Sequence, residues 1–488
     1  MINLFNSIKK LIYSLFKEKY FISFTVIFLL ALCLNINNKT FIAASFFYLA
    51  ISSLMFRSFS KGLIFSFLLF QLFSLGKTFE FLLIPASSLS QTKFTLDYQG
   101  YYQFLILGPK FFIGIAMIFW TIILMIKKVL KLDKITKIFL LYFLLSLISA
   151  FLSINYSLSL FFWLSEFFLF PLFCLFRKEL RNDRNFLKSF LRFLSVLVIY
   201  ECLFALFQYL TKSPFLPNLM FSKDVPLEGP EVEPTWFRPW GTFGHPNTLA
   251  NFLLPITVIF FLSGYSRSFG EKKYTIPGFI FGLIAIILSL SRSSWMAFTA
   301  TIALFTILFE KKLYLQFNDR FKRIILASSL LFIPLFVVFV VPRIEKSPLS
   351  FTGEGSGIFR FESYKESLNL LQKYPLFGVG QGMSVLAMFS ENPKGEVFRF
   401  PYYPHNMFFH LASEIGLMPL LFFLFFLGYL IFTGYNSSPQ KITGIIIDNY
   451  VFLAPMIALF FNGLFQPFFS STMLYLMIFS AIYHVHKR

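Results

Sequence analysis

Three short polar segments, each followed by a long apolar run, hold the side chains best suited to chemistry. They are RPWGTFGHPN at 238–247, SRSSW from 291 and HN at 405–406. The planar guanidinium of arginine matches two phosphate oxygens at once, and histidine titrates near neutral pH. Their combination predicts a site that binds an anion and moves a proton.

The composition shows what surrounds these segments. Hydrophobic residues make up 57% of the 488 residues, charged residues 14%, and the mean hydropathy is +0.71, which excludes a water-soluble domain. The net charge of +20 comes from short basic clusters between apolar runs, a pattern that sets membrane topology and argues against nucleic-acid binding. The three cysteines also lie in apolar runs and indicate neither disulfides nor a metal cluster.

The apolar runs predict an all-α fold, a polytopic membrane bundle of about 12–14 transmembrane helices. The predicted spans are 21–36, 40–56, 62–76, 104–125, 138–154, 157–176, 191–210, 247–265, 275–291, 294–309, 324–341, 406–432, 449–466 and 470–485. The first twenty residues predict an interfacial helix and no cleaved signal. With the N-terminus inside, roughly 28 of the 43 Lys and Arg fall in inner loops, and this count supports that orientation of a multi-pass membrane protein.

The same topology divides the chain into three predicted parts. They are an N-terminal bundle at 1–210, a core at 211–435 and a C-terminal hairpin at 436–488. The core includes the outer loops 211–246 and 342–404. The larger loop contains an amphipathic segment, IFRFESYKESLNLLQKY, and a glycine group, FGVGQG. Its many aromatic residues predict an ordered, partly helical cap that lies on the bundle.

Three helices that enter the membrane from outside are predicted to start at the polar segments. Helix N-termini have unpaired N–H groups and a positive dipole end, so they favour an anion. Arg238 and Arg292 would complete a phosphate cradle facing outward. Gly241 and Gly244 would let the backbone approach a ligand closely, and Pro246 fits the first turn of its helix.

Each of these residues also has a structural interpretation. Arg238 could be an interfacial arginine stacked between Trp236 and Trp240. His245 could cap its helix, and His405 could be a structural residue at the membrane boundary. Of the two histidines, we expect His405 to be the general base.

Other polar residues lie inside apolar runs. His410 and Glu414 are four residues apart, so they could share a helix face as a metal pair, or, as we prefer, as a polar pair inside the bundle. Without a third ligand at recognisable spacing we predict no metal site. Glu166 and Glu201 could form a structural pair or a proton path.

Four segments, in this order, resemble the O-antigen ligase and O-antigen polymerase superfamily. They are RPWGTFGHPNTLANF, SLSRSSWMAF, RFESYKESLNLLQKYPLFGVGQG and PHNMFFHLASEIGLMPLL. The similar region runs from 238 to about 435. The resemblance implies a multi-pass glycosyltransferase of the cytoplasmic (inner) membrane, with its active site facing outside. Its donor would be a glycan on polyprenyl (undecaprenyl) diphosphate, with no cofactor, nucleotide sugar or required metal.

The resemblance also implies roles for individual residues. His405, Arg292 and Arg238 would be catalytic. The substrate-binding set would add five residues: Arg360, His245, Asn247, Asn406 and Gly244. The partners would be the lipid-linked donor, membrane lipids and an acceptor, which is lipid A-core, a glycan or a protein. About two more spans than in a typical ligase, and a glycine pattern shared with polymerases and protein-glycosylating members, leave ligase, polymerase and protein O-oligosaccharyltransferase open. A lipid-linked glycan flippase is the alternative from another class.

Overall fold

The computed structural model is built from α-helices, and the residues that it describes include no β-strand. The structure describes residues 20–34, 38–72, 109–183, 185–212, 237–243, 245–263, 272–314, 356–392, 403–436, 443–467 and 470–485. The helices there are α1 Phe21–Leu34, α2 Asn38–Phe56, α3 Phe59–Leu72, α4 Pro109–Ile126, α5 Lys134–Phe151, α6 Tyr156–Phe167, α7 Leu169–Asn182, α8 Phe186–Thr211, α9 Pro246–Ser263, α10 Lys272–Leu288, α11 Arg292–Tyr314, α12 Ser356–Lys373, α13 Ser384–Glu391, α14 Met407–Ile415, α15 Leu417–Asn436, α16 Thr443–Gly463 and α17 Ser470–Val485. The predicted all-α fold is confirmed.

Several of these helices suit a membrane by length and composition. The described residues contain 4 segments long and apolar enough to cross one: Lys134–Phe151, Tyr156–Asn182, Phe186–Thr211 and Pro246–Ser263. Eight shorter apolar helices of 10–17 residues accompany them. Large apolar side chains also face outward, with Phe119, Ile126 and Leu210 exposed by 64%, 74% and 70%. An apolar exterior around an apolar core is typical of a polytopic helical membrane bundle.

Two predicted spans divide into helices differently from the prediction. The span predicted at 406–432 is two helices, α14 and α15, because Gly416 takes φ 75° and ends α14. A Cβ at Gly416 would lie 2.3 Å from the carbonyl oxygen of Leu376, so another segment packs directly on this break. The span predicted at 157–176 is Tyr156–Asn182, composed of α6 and α7. The predicted span 324–341 lies outside the described residues.

The described part of the large loop packs on the bundle. Its predicted amphipathic segment is α12, which lies against α14 and the short helix α13. Between α12 and α13, the backbone N–H groups of Val379 and Gly380 donate to the carbonyl oxygens of Ser413 (3.0 Å) and Glu414 (2.8 Å). Ser153, just after α5, donates to the Val379 carbonyl at 2.9 Å. These bonds fix the glycine-rich segment at one end of the bundle.

Ion pairs tie the helices together at the opposite end. Arg177, near the end of α7, pairs with Asp133 before α5 at 2.7 Å, and Lys61 in α3 pairs with Asp183 before α8 at 2.5 Å. From this end α8 runs to Thr211, and Gln208 in its last turn contacts the segment that leads into α9. The segments that we expected to do chemistry therefore lie at the end of the bundle away from the ion pairs.

Candidate functional site

Helix α8 holds the segment that leads to α9. Gln208 accepts the backbone N–H groups of Trp240 (3.1 Å) and Gly241 (2.9 Å), and its amide donates to the Gly241 carbonyl at 3.0 Å. Glu201 accepts the backbone N–H (3.0 Å) and hydroxyl (2.5 Å) of Thr242. Thr242 is fully buried, so the segment dips into the bundle and its backbone groups are satisfied by α8. Glu201 is thus a backbone anchor of this segment.

Replacing Gly241 is expected to destabilise this segment. Gly241 has φ 59°, and an added Cβ would lie 2.3 Å from a carboxylate oxygen of Glu201. We expect Gly241→Ala to lower the free energy of unfolding by about 1–3 kcal/mol, because it adds both backbone strain and a clash. Thermal unfolding of the purified protein measures it. Gly428→Ala is the matched control, since a Cβ there meets nothing within 4 Å. Equal melting temperatures for the two variants would contradict this account.

Arg238 links the start of α9 to the end of α10. Its Nε donates to the carbonyl oxygen of Ser289 at 3.2 Å, and its Nη2 donates to Oδ1 of Asn247 at 3.0 Å. Ser289 lies three residues before Arg292, so Arg238 is anchored beside the start of α11. Two hydrogen bonds orient the guanidinium, whereas an interfacial arginine that only stacks would not need them. Trp236, its proposed stacking partner, lies outside the described residues, as does Gly244.

His245 caps α9. Its Nδ1 accepts the backbone N–H of Asn247 at 3.1 Å, and its carbonyl oxygen accepts those of Thr248 and Leu249, each at 3.1 Å. Burial, together with the charge of Arg238, lowers the pKa of His245 to about 4. Both roles considered for His245 remain compatible with this geometry, because capping uses Nδ1 and leaves Nε2. Asn247 contacts Arg238 and so orients that side chain.

A serine cluster forms the start of α11. The Ser291 hydroxyl lies 3.3 Å from that of Ser293 and 3.2 Å from that of Ser294, and the Ser291 carbonyl accepts the backbone N–H of Trp295 at 3.1 Å. Arg292 is the first residue of the helix and is partly exposed. Its backbone therefore lies at the positive end of the α11 dipole, as the anion-cradle prediction requires.

His405 lies just before α14 and is contacted by α12, the helix of the large loop. Its ring N–H donates to the backbone carbonyl of Tyr403, and its own carbonyl accepts the Tyr364 hydroxyl at 2.9 Å. Burial, then the charges of Arg360 and His245, lower its pKa to about 3. The following residue, Asn406, caps α14 by accepting the backbone N–H groups of Phe408 (2.9 Å) and Phe409 (3.3 Å).

These contacts bring distant parts of the chain into one basic cluster. Arg360 lies one helical turn before Tyr364, whose hydroxyl contacts the His405 carbonyl, and its charge lowers the pKa of His405. Arg238 contacts Asn247 and lowers the pKa of His245, which in turn lowers that of His405. Through its bond to Ser289, Arg238 also joins the cluster to the start of α11. Arginine side chains beside histidines at helix starts are typical of a site that binds an anion.

His410 and Glu414 hold the glycine-rich segment. His410 Nε2 lies 3.1 Å from Glu414 Oε1, which is the polar pair that we preferred. Glu414 also accepts the Gly382 backbone N–H at 2.9 Å and the Ser384 hydroxyl at 2.8 Å. Within the described ranges, no group of three His, Cys, Asp or Glu side chains is placed to hold a metal ion. The pair thus anchors the cap to the bundle.

Fold and site together define a polytopic helical membrane protein with a basic cluster at one end of its bundle. Residues 277–424 match the family described as O-antigen ligase. The match supports membership of the O-antigen ligase superfamily, which contains membrane glycosyltransferases of the ligase and polymerase type. The match covers less than a third of the 488 residues and includes Arg292, Arg360 and His405, whereas Arg238 and His245 precede it. No curated protein matches the chain.

Proposed function

We propose that the protein transfers a glycan from a polyprenyl diphosphate to an acceptor hydroxyl at the outer face of the cytoplasmic membrane, as an O-antigen ligase does. The observation that carries this proposal is the placement of Arg238, His245 and His405 beside the starts of α9, α11 and α14, with Arg360 on the adjacent helix α12. A diphosphate has enough oxygen atoms to bind guanidinium groups, such as those of Arg238 and Arg292, and helix N-termini at the same time. Its polyprenyl tail would stay in the bilayer.

The arginines would stabilise the leaving group. When the bond between the anomeric carbon and the diphosphate oxygen breaks, its electron pair passes to the diphosphate, whose negative charge increases. Arg292 and Arg238 catalyse to the extent that they bind this increased charge more strongly than the charge of the ground state. Because hydrogen bonds to Ser289 and Asn247 already orient Arg238, little reorganisation is needed when the charge develops.

His405 would accept the proton of the attacking hydroxyl. Since one ring nitrogen donates to the Tyr403 carbonyl, the other nitrogen of the neutral ring has its lone pair free of a proton. The acceptor oxygen forms the new bond to the anomeric carbon, its proton passes to His405, and polyprenyl diphosphate departs. A single displacement of this kind inverts the anomeric configuration. Arg360, on the cap helix α12, would close over the bound diphosphate.

The lowered pKa of His405 gives a pH prediction. A base must be neutral to accept a proton, and a pKa lowered to about 3 keeps His405 of the free protein neutral well below pH 6.5. We therefore expect kcat/KM for the donor to change by less than about twofold between about pH 8 and pH 5, and to fall only as the pH approaches that pKa. A pH profile at saturating acceptor tests this. A decline centred near pH 6.5 would show that His405 is solvated and would contradict the site.

The proposed function is tested by reconstitution. The purified protein is incubated with a glycan on polyprenyl diphosphate together with one acceptor at a time: lipid A-core, a glycan or a protein. A ligase moves the glycan to a new acceptor, a polymerase lengthens the lipid-linked chain, and a protein O-oligosaccharyltransferase labels the protein, so product size and identity distinguish them. If the glycan is transferred to none of these acceptors and the lipid-linked chain is not lengthened, the proposal is overturned.

A further inference from the structure

The turn between α16 and α17 contacts the starts of α11 and α14, and the end of α16 contacts α9. Helix α16 packs against α9 and α11, and it also packs against α17. Gly463, its last residue, lies so close to α14 that an added Cβ would be 2.2 Å from Sδ of Met407. The hairpin therefore fits between the elements that carry Arg238, Arg292 and His405, although the family match ends at residue 424, before α16 begins.

Buried amides connect this hairpin to α9 and α11. Asn462, fully buried in α16, donates to Asn251 Oδ1 at 2.8 Å, and its own Oδ1 lies 3.4 Å from the Ser294 hydroxyl that donates to it. Asn251 in turn donates to the hydroxyl of Thr472 in α17 at 3.0 Å. One side chain of α16 thus bonds to both α9 and α11, and α17 completes the network.

Two further bonds reach the neighbours of the site residues. Gln466, in the turn, is 3% exposed and its amide donates to the Ser293 hydroxyl at 2.7 Å. Ser293 directly follows Arg292. The carbonyl oxygen of Leu464 accepts from Asn406 at 3.2 Å, and Asn406 directly follows His405. The turn therefore holds the residue next to each of the two principal catalytic candidates.

This arrangement does more than stabilise the bundle. A buried hydrogen bond contributes little net stability, and well-packed apolar residues of similar shape can often replace it. A connected set of buried amides does fix one relative geometry, because each donor must meet its acceptor. A site that aligns helix starts from separate parts of the chain requires such a constraint.

We propose that the α16–α17 hairpin is the positioning element of the site, with Gln466 and Asn462 as its positioning residues. Gln466 fixes the position of the first turn of α11 and hence the direction of Arg292. Asn462 fixes the separation between α9 and α11. The hairpin sets the diphosphate-binding geometry, an inference that rests on the proposed function. Its consequence is that the C-terminal hairpin belongs functionally with the core.

The test uses full-length Gln466→Met, which keeps the side-chain length but removes the hydrogen bond, and Asn462→Leu. Affinity for inorganic pyrophosphate and the transfer rate are both measured. We expect each variant to weaken pyrophosphate binding by about tenfold and to lower kcat by about 10–100-fold. The matched control is Thr25→Val, which removes a buried 3.0 Å contact with Tyr48 far along the chain from the site and should leave both quantities unchanged.

A double-mutant cycle separates positioning from general damage. If Gln466 acts through Arg292, adding Gln466→Met to Arg292→Ala should cost no more than Arg292→Ala alone. Fully additive losses, wild-type behaviour of Gln466→Met, or an equal loss in Thr25→Val would each overturn the inference. If Asn462→Leu does not fold, Gln466→Met alone decides. If the protein binds pyrophosphate but transfers no glycan, the proposed function is rejected. The inference about the hairpin is then decided by the double-mutant cycle measured as pyrophosphate affinity.

Discussion

Replacing His405 with alanine should lower glycan transfer by about 10²–10⁴-fold, the usual contribution of a positioned general base. The ring is already oriented by its bond to the Tyr403 carbonyl, and the segment that carries it is fixed by Tyr364 and Asn406. Removing the ring breaks its own bond to Tyr403 but leaves the contacts of Tyr364 and Asn406 in place. We therefore expect a loss in kcat with little change in the melting temperature, measured as the initial transfer rate at saturating donor.

The comparison with His245 sharpens this prediction. Both histidines are half-buried at helix starts and both have lowered pKa values, but His245 uses Nδ1 to cap α9. His245→Ala should cost about 1 kcal/mol of stability through the lost cap and should reduce transfer far less than His405→Ala. Equal losses in the two variants, or wild-type transfer by His405→Ala, would show that His405 is not the base.

Replacing Arg292 with alanine should lower kcat by about 10²–10³-fold, comparable to the loss of one preorganised group that stabilises developing negative charge. Arg292 begins α11, where the helix dipole and the guanidinium act on the same anion. Arg292→Lys should recover only part of the activity, since lysine keeps the charge but cannot bind two oxygens with one planar group. Single-turnover kinetics with bound donor separates this loss from weaker donor binding.

Arg181 provides the control for Arg292. It lies at the opposite end of the bundle, where it contacts Asp133 at 3.1 Å and is 37% exposed. A partly exposed ion pair of this kind contributes little, so Arg181→Ala should transfer glycan at the wild-type rate. If Arg292→Ala were as active as Arg181→Ala, the diphosphate would have to bind elsewhere.

The helix pattern was largely accessible from the sequence, because long apolar runs have few alternatives in a membrane. The sequence analysis does not predict the break at Gly416, because the apolar run resumes directly after it, with LMPLLFFLFFL. A signal was present: glycine commonly ends a helix, and Pro419 follows three residues later. What requires the glycine is the close approach of Leu376, a contact between segments that no local pattern shows.

The candidate site could be predicted only in part for the same reason. Arginines and histidines beside apolar runs can be identified as candidates from the sequence, because placing such side chains in a membrane costs free energy. The residues that hold them did not: Gln208, Tyr364 and Gln466 are ordinary polar residues whose partners lie 32, 41 and 173 residues away. Glu201 stands out in the sequence as a carboxylate inside an apolar run, but only the structure shows that it accepts hydrogen bonds from Thr242.

The most direct measurement of the central claim is the identity and amount of the leaving group. Purified protein is given a glycan on polyprenyl diphosphate and an acceptor, and the released lipid and transferred glycan are quantified together. We expect one polyprenyl diphosphate for each glycan transferred, with both products lost in His405→Ala. Release of polyprenyl monophosphate, or transfer that requires a nucleotide sugar, would contradict the account.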